Sequence, residues 1–361
     1  MGSTGITDYK HMLRVLNYIV RNAPEWSPAA ASVGLVGLPM FAVMDYVLGS
    51  ASYAAFLDQD VNEHIKHILN EWGHFLQSAD SMHVLSSGPA GWFGPAALQA
   101  LTSVANAPYK TSLRFDEIFA CDSSAAYYGF TSWDAFFTRR IRDSVRPTAG
   151  LHDNNVIIHA CESSVYNIQR NVKIRDNFFF KGQPYSIQDI LAHDPISSYF
   201  AQGTVYQAFL SALSYHRWHA PVSGTVRRAF VQDGTYFSLP PSLAVASIDD
   251  NPDRMILSQR YLSAMATRGI IILEADNPVI GLVAFVAIGM AEVSTCEITV
   301  EEGRHVKKGE ETGMFHFGGS SYCLLFRHGL QLEGLPAAER EESVAVRGRL
   351  ATVTPSFKKL A

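Results

Sequence analysis

Cysteine is scarce in this chain, with four in 361 residues: Cys121, Cys161, Cys296 and Cys323. No two stand at metal-ligand spacing, so no zinc set is legible and no metal is expected. They sit in apolar, strand-like runs and read as buried small hydrophobes in a reducing compartment. The first residues, MGSTGITDYKHML, lack a basic stretch followed by an apolar one, which excludes a secretory signal of the usual form. Long hydrophobic runs are also missing. The most apolar early stretch, Ala29 to Met44, is sixteen residues long, contains Pro39 and meets Asp45. A membrane span needs about 20 apolar residues, so this stretch is expected to form a buried helix or a hairpin of helices. No integral membrane anchor is expected, and the location implied is cytoplasmic. Nor is there an excess of one charge: 29 basic against 34 acidic residues leave a net charge of −5. That balance gives no reason to expect a nucleic-acid partner. Neither GxGxxG nor GxxxxGK[ST] occurs, and the β-rich segments do not alternate regularly with helices, which argues against a doubly wound nucleotide fold.

Two compositional regions are present. Residues 1–125 read as helical. From Val61 the apolar residues Ile65, Ile68, Leu69, Trp72, Phe75 and Leu76 recur with a 3.6-residue period, and Asp58 and Asp60 suit the start of that helix. A break at Ser86–Pro95 follows, and Pro95 can open another helix through Leu98 and Leu101. Residues 126–361 read as a β-rich core. TSWDAFFTRR predicts a short helix with Ser132 near its cap; NNVIIHA, SSVYNI, GTVRRAFV, GIIILEA and PVIGLVAFVAIG predict strands. Ile256 to Gly269 predicts a helix between strands, and SVAVRGRLATV one strand near the end. The fold class expected is α+β, a mixed β-rich core with an N-terminal helical extension.

Three segments carry candidate chemistry. SYHRWHAPVSG holds His216 and His219, which can exchange protons near neutral pH or sit in a surface turn before a strand. FHFGGSSYCLLF places Gly318, Gly319, Ser320 and Ser321 between two apolar runs. The pair of glycines permits crowded backbone and a serine able to attack the preceding carbonyl; the ordinary alternative is a hairpin turn. IIHACESSVYN sets Glu162 in an apolar strand, where it either faces solvent or orients a histidine.

Together these segments resemble the phosphatidylserine decarboxylase family, which reads PADG, then DYHRxHxP, then GS[ST]. The corresponding residues are Ala160-Cys161-Glu162-Ser163, Ser214 to Pro221, and Gly319-Ser320-Ser321. FFTRRIRDSVRP, FKGQPYSIQDIL and VKKGEETGMFHFGGSS add to the likeness, which covers roughly Phe130 to Phe326. The resemblance implies self-cleavage between Gly319 and Ser320. Ser320 attacks the Gly319 carbonyl, an ester forms, elimination releases the upstream chain, and hydrolysis leaves a pyruvoyl group on the new N-terminus. It further implies His219 as the residue that activates Ser320, Glu162 in the place of the family's aspartate as its orienting partner, and His216 as the proton donor in turnover. The Glu162 side chain carries one methylene more than that aspartate. The implied cofactor is a pyruvoyl group made from Ser320, with no pyridoxal phosphate, and the two cleavage products are expected to remain associated.

Family members acting on phosphatidylserine work at membranes. The helical extension, the missing span and the HACESS and FHFGGSS variants look instead like the soluble fungal branch that decarboxylates tryptophan. A free aromatic L-amino acid is therefore the expected substrate, L-tryptophan first, with the phospholipid or a catalytically silent binding protein as alternatives. An exposed apolar face in Ala29 to Met44 would favour the phospholipid. The oligomeric state is left open.

Overall fold

The computed structural model describes residues 5–32, 36–47, 54–175, 185–240, 257–290, 295–317, 320–337 and 343–354. Helices come first: α1 (Tyr9–Ile19), α2 (Pro28–Ser32), α3 (Pro39–Val47), α4 (Gln59–Gln77), α5 (Pro95–Asn106), α6 (Phe115–Ile118) and α7 (Trp133–Phe137). The expected signals act where they were read. The Asp58 carboxylate accepts from the Asp60 and Val61 amides at 3.0 and 3.1 Å, which satisfies two of the orphan donors opening α4. Ile65, Leu69, Trp72 and Leu76 are buried along one stripe, with Ile68 and Phe75 half-buried on its flanks. Pro95 opens α5, and Ser132 Oγ accepts from the Ala135 amide at 3.0 Å to cap α7.

The apolar stretch around residue 40 is buried. Val36, Leu38, Met40, Phe41, Val43 and Met44 all lie in the core, and residues 33–35 lie outside the described residues. Among the described residues no helix is long and apolar enough to cross a membrane.

The strands follow: β1 (Val156–Ile158), β2 (Ser163–Val172), β3 (Gly203–Leu210), β4 (Arg217–His219), β5 (Gly224–Gln232), β6 (Arg268–Ala275) and β7 (Leu282–Ile288). After them come β8 (Thr295–Ile298), β9 (His305–Val306), β10 (Glu311–His316), β11 (Ser320–Phe326), β12 (Leu332–Glu333), β13 (Ser343–Val344) and β14 (Arg349–Val353). Two short helices interrupt them, α8 (Ile187–Ile190) and α9 (Gln259–Met265). The expected helix from Ile256 to Gly269 is thus shorter, since Arg268 already begins β6, and Ile256 itself lies outside the described residues. SVAVRGRLATV is two strands, not one. Arg347 takes φ +64° and the Gly348 amide donates to the Ala345 carbonyl, a turn that sends β13 and β14 into different sheets.

Eight strands form one antiparallel sheet in the order β13-β2-β3-β11-β7-β6-β5-β9. Its middle strands are buried on both faces, which is why β6, β7 and β11 read as continuous apolar runs. Side chains alternate between two cores. Tyr206, Phe285, Tyr322 and Leu324 face a large core shared with the helices before Val156; Val205, Val286, Cys323 and Leu325 face a smaller one shared with α8 and α9. The smaller sheets run β1-β14-β12 and β4-β10-β8.

One feature of this topology positions the site. β10 pairs with β4 and β8, whereas β11 pairs with β3 and β7. The chain therefore changes sheets between His316 and Ser320, and the two apolar runs around the glycines do not form a hairpin.

Candidate active site

Ser320 is the first residue of β11 and is fully buried opposite Leu210, the last residue of β3. The chain leaving Leu210 passes through Ser211 and Ser214 to Tyr215 and His216, then forms β4 with His219 at its end. On the other side of the sheet change, the Phe315 amide donates to the His216 carbonyl at 3.0 Å. Both flanks of the glycine pair are thus tied to one stretch, 210–216. Gly318 and Gly319 lie outside the described residues.

Ser320 Oγ is buried and makes no hydrogen bond among the described residues. An unpaired buried hydroxyl loses its hydration without recompense, so such groups are scarce and concentrate where chemistry uses them. Its neighbour Ser321 points the other way and accepts from Gln207 Nε2 at 3.3 Å.

His219 is buried, and both ring nitrogens are engaged. Nδ1 lies 2.8 Å from the Gly309 carbonyl and Nε2 2.9 Å from the Tyr215 hydroxyl. A carbonyl only accepts, so Nδ1 carries the proton and Nε2 presents its lone pair to the Tyr215 O–H. Burial pushes the His219 pKa down to about 4, against the opposing pull of the Gly309 carbonyl. The imidazole is therefore neutral, and the lone pair that a base would use is on Nε2, where the Tyr215 hydroxyl now binds it. Burial also raises the Tyr215 pKa, which keeps that hydroxyl a donor.

The structure does not join Glu162 to His219. Glu162 is buried against Arg146, whose Nε donates to Oε2 at 2.9 Å and whose Nη2 makes a second bond to Oε1. The Val346 amide donates to the same Oε2 at 2.9 Å. The place expected for an orienting carboxylate at His219 is taken by a backbone carbonyl. The two residues also line separate cavities. His219 and Tyr215 border one of about 440 Å³. Glu162, Tyr166, Phe209, Ser211 and Ser214 border another of about 420 Å³, walled on one side by Ser103 and Val104 of α5.

His216 is fully buried with its ring stacked on Phe137 at 4.3 Å between centroids. Arg139 fixes the loop before it. Its guanidinium is buried over the Phe119 ring and donates to the Leu213 carbonyl at 2.9 Å. Residue-level reading missed the roles of Tyr215, Arg139 and Arg146, although all three lie inside quoted segments. Among the described residues no cluster of three or more histidine, cysteine or acidic side chains is arranged to hold a metal ion.

The family model for phosphatidylserine decarboxylase matches residues 133–348, more than half of the chain, and a second phosphatidylserine decarboxylase model matches residues 1–101. The chain belongs to the phosphatidylserine decarboxylase family. It is 41% identical over 338 residues to an L-tryptophan decarboxylase of Psilocybe cubensis, covering 90% of this chain and 74% of that one. It is also 41% identical over 299 residues to the decarboxylase iboD of Amanita muscaria, covering 80% and 84%. The phosphatidylserine decarboxylase proenzyme 2 of Oryza sativa is more distant, 27% identical over 218 residues that cover 60% of this chain and 32% of that one. The second match reaches into the helical region, which the likeness read from motifs alone, beginning near Phe130, did not include.

Proposed function

We propose that this family member cuts itself between Gly319 and Ser320, gains a pyruvoyl group from Ser320, and decarboxylates a free aromatic L-amino acid, L-tryptophan first. The observation that carries the reading is the bracketing of the glycine pair. The Phe315 amide bonds to the His216 carbonyl and Ser320 faces Leu210, so a buried serine hydroxyl with no hydrogen bond among the described residues stands at a sheet change beside the segment that supplies both histidines.

In the first step Ser320 Oγ bonds to the Gly319 carbonyl carbon, its proton passes to a base, and the Ser320 nitrogen leaves that carbon, giving an ester. Loss of the Ser320 α-proton then breaks the Cβ–Oγ bond and releases Gly319 as a carboxylate. Water adds to the remaining dehydrated residue, ammonia leaves, and the pyruvoyl group remains. His219 is the base proposed for the first transfer: Nδ1–H is held by Gly309, and the ring stays neutral down to about pH 4. For Nε2 to take the serine proton, the Tyr215 hydroxyl has to give way. Glu162 is proposed to act with Arg146, holding the segment after β1 in place, rather than on His219 itself.

The pyruvoyl group supplies an electron sink for the charge left when carbon dioxide departs. His216 is proposed to return the proton to the α-carbon, its ring fixed by the stack on Phe137.

Three observations support a free aromatic substrate. The 41% identical relatives include tryptophan decarboxylases. Val36, Leu38, Met40, Phe41, Val43 and Met44, the large apolar residues described in the stretch that a peripheral lipid enzyme would expose, are buried. The cavity beside Phe209 and Tyr166, at about 420 Å³, falls within the roughly 300–1,000 Å³ usual for small-molecule sites. The test is a competition between free tryptophan and phosphatidylserine liposomes, with the product amines read by mass spectrometry. Tryptamine is expected without lipid; phosphatidylethanolamine with negligible tryptamine would refute the substrate. Denaturing electrophoresis is expected to show residues 1–319 apart from the 42 residues from 320 to 361, and Ser320→Ala to keep the chain whole. An active decarboxylase that remains one chain would refute the pyruvoyl reading.

A further inference from the structure

His316 ends β10, four positions before Ser320, and is buried. Its Nδ1 lies 2.8 Å from Asp134 Oδ1 on α7, and its Nε2 lies 2.9 Å from Glu297 Oε2 on β8. Ionised carboxylates only accept, so both ring nitrogens donate and the ring is an imidazolium. Burial works against that charge; the hydrogen bonds to Asp134 and Glu297 outweigh it and raise the pKa to about 9. Among the described residues, the further charge that acts on this cluster is on β4. Arg217 acts on Glu297 from a distance while its own guanidinium binds Glu311 and the Thr138 carbonyl.

The next residue is held as firmly. Phe317 takes φ +63°, a left-handed conformation rare for a bulky side chain. Its ring lies against Trp72 at 5.6 Å and Trp133 at 6.5 Å between centroids. It also passes so near Gly73 that a methyl group there would stand 3.1 Å from it. β10 is also flanked by β4 as far as Met314 and by β8 as far as His316. The grip falls on the two residues that lead into Gly318-Gly319, and much of it comes from α4 and α7.

We infer that His316 is a positioning residue for self-cleavage: clamped between Asp134 and Glu297, it holds the bent approach to the glycine pair in the form that Ser320 attacks. The inference rests on the cleavage reading above. The hydrogen bonds of the His316 ring go to Asp134 and Glu297, and it transfers no proton in the cleavage.

The test follows the half-time of cleavage of the freshly translated full chain across about pH 6 to 10, a range that spans the imidazole titration. In wild type the rate is expected to fall as pH rises through about 9, where the clamp loses its proton. Asp134→Asn and Glu297→Gln each remove one carboxylate, so the fall is expected at lower pH. His316→Gln is expected to slow cleavage by about tenfold or more, as misplaced reacting groups do, and to erase that fall. Should His316→Gln fail to fold, Glu297→Gln carries the test, because Glu297 is half exposed and tolerates the amide. Folded His316→Gln protein with the wild-type half-time, or identical alkaline profiles in wild type, Asp134→Asn and Glu297→Gln, would overturn the inference alone. A wild-type chain that never cleaves would overturn the cleavage reading and this inference with it.

Discussion

Glu162→Gln separates two roles that the same carboxylate can play. In the structure the residue is buried in a two-bond pair with Arg146 and accepts a third bond from Val346. The amide keeps the shape and still accepts from Val346, but it leaves the Arg146 guanidinium buried without its counter-charge. Removing one partner of a buried pair costs about 3–5 kcal/mol. With a urea slope of about 3 kcal/mol per molar or more for a chain of this size, the midpoint should fall by about 1 M. The measurement is made in the uncleaved Ser320→Ala background, so that one chain unfolds. Adding Arg146→Met removes the stranded charge, and the double variant should recover much of the loss. Cleavage, followed in the Ser320 background, should recover with it. If the double variant regained stability but stayed as slow to cleave as Glu162→Gln alone, the charge of Glu162 would be serving His219, and the structural role argued here would be refuted.

The maturation rate should hold steady as pH falls from neutral and drop only near pH 4, because burial keeps His219 neutral; a midpoint near the ordinary value of about 6.5, read from cleavage half-times, would contradict this. The same depressed pKa means the unfolded chain binds protons first, so His219 makes the fold lose stability as pH falls from about 6.5 to about 4. Tyr215→Phe releases Nε2 and should leave cleavage as fast or faster; a slower half-time would place the Tyr215 hydroxyl in the path of the proton. His216→Ala should still cleave yet turn over amino acid slowly in a product-amine assay, and normal turnover would remove it as the proton donor.

The helices and the central strands were legible because their signals are local. An aspartate before a 3.6-residue stripe specifies the start of α4, and strands buried on both faces leave unbroken apolar runs such as that of β7. What was hidden depends on distant backbone. His219 Nδ1 is held by the carbonyl of Gly309, ninety positions away, and a carbonyl leaves no mark on residue type. Glu162 was visible as a buried charge, but its choice of Arg146 over a histidine depends on how the segments before and after β1 come together. The turn that divides SVAVRGRLATV has Arg347 in a left-handed conformation, where glycine or asparagine would have announced it. Two apolar runs around Gly-Gly read equally well as a hairpin, and only the pairing of β10 and β11 with different partners shows that they are not one.

That change of sheets has a consequence for the order of events in the life of the molecule. β10 ends at His316 in one sheet and β11 begins at Ser320 in another, so a cut before Ser320 would leave the strand ladders on either side whole. β11 would stay wedged between β3 and β7, while β14 would still clasp β1, and β13 would still border β2. Before the cut, folding is a first-order search by one chain. Afterwards, a denatured molecule would have to find a 42-residue partner and thread it into the centre of a finished sheet, a second-order event that slows with dilution. Under the proposed cleavage, maturation placed here would be a ratchet: the chain would have to fold in order to cut itself, and once cut it would be poorly able to fold again.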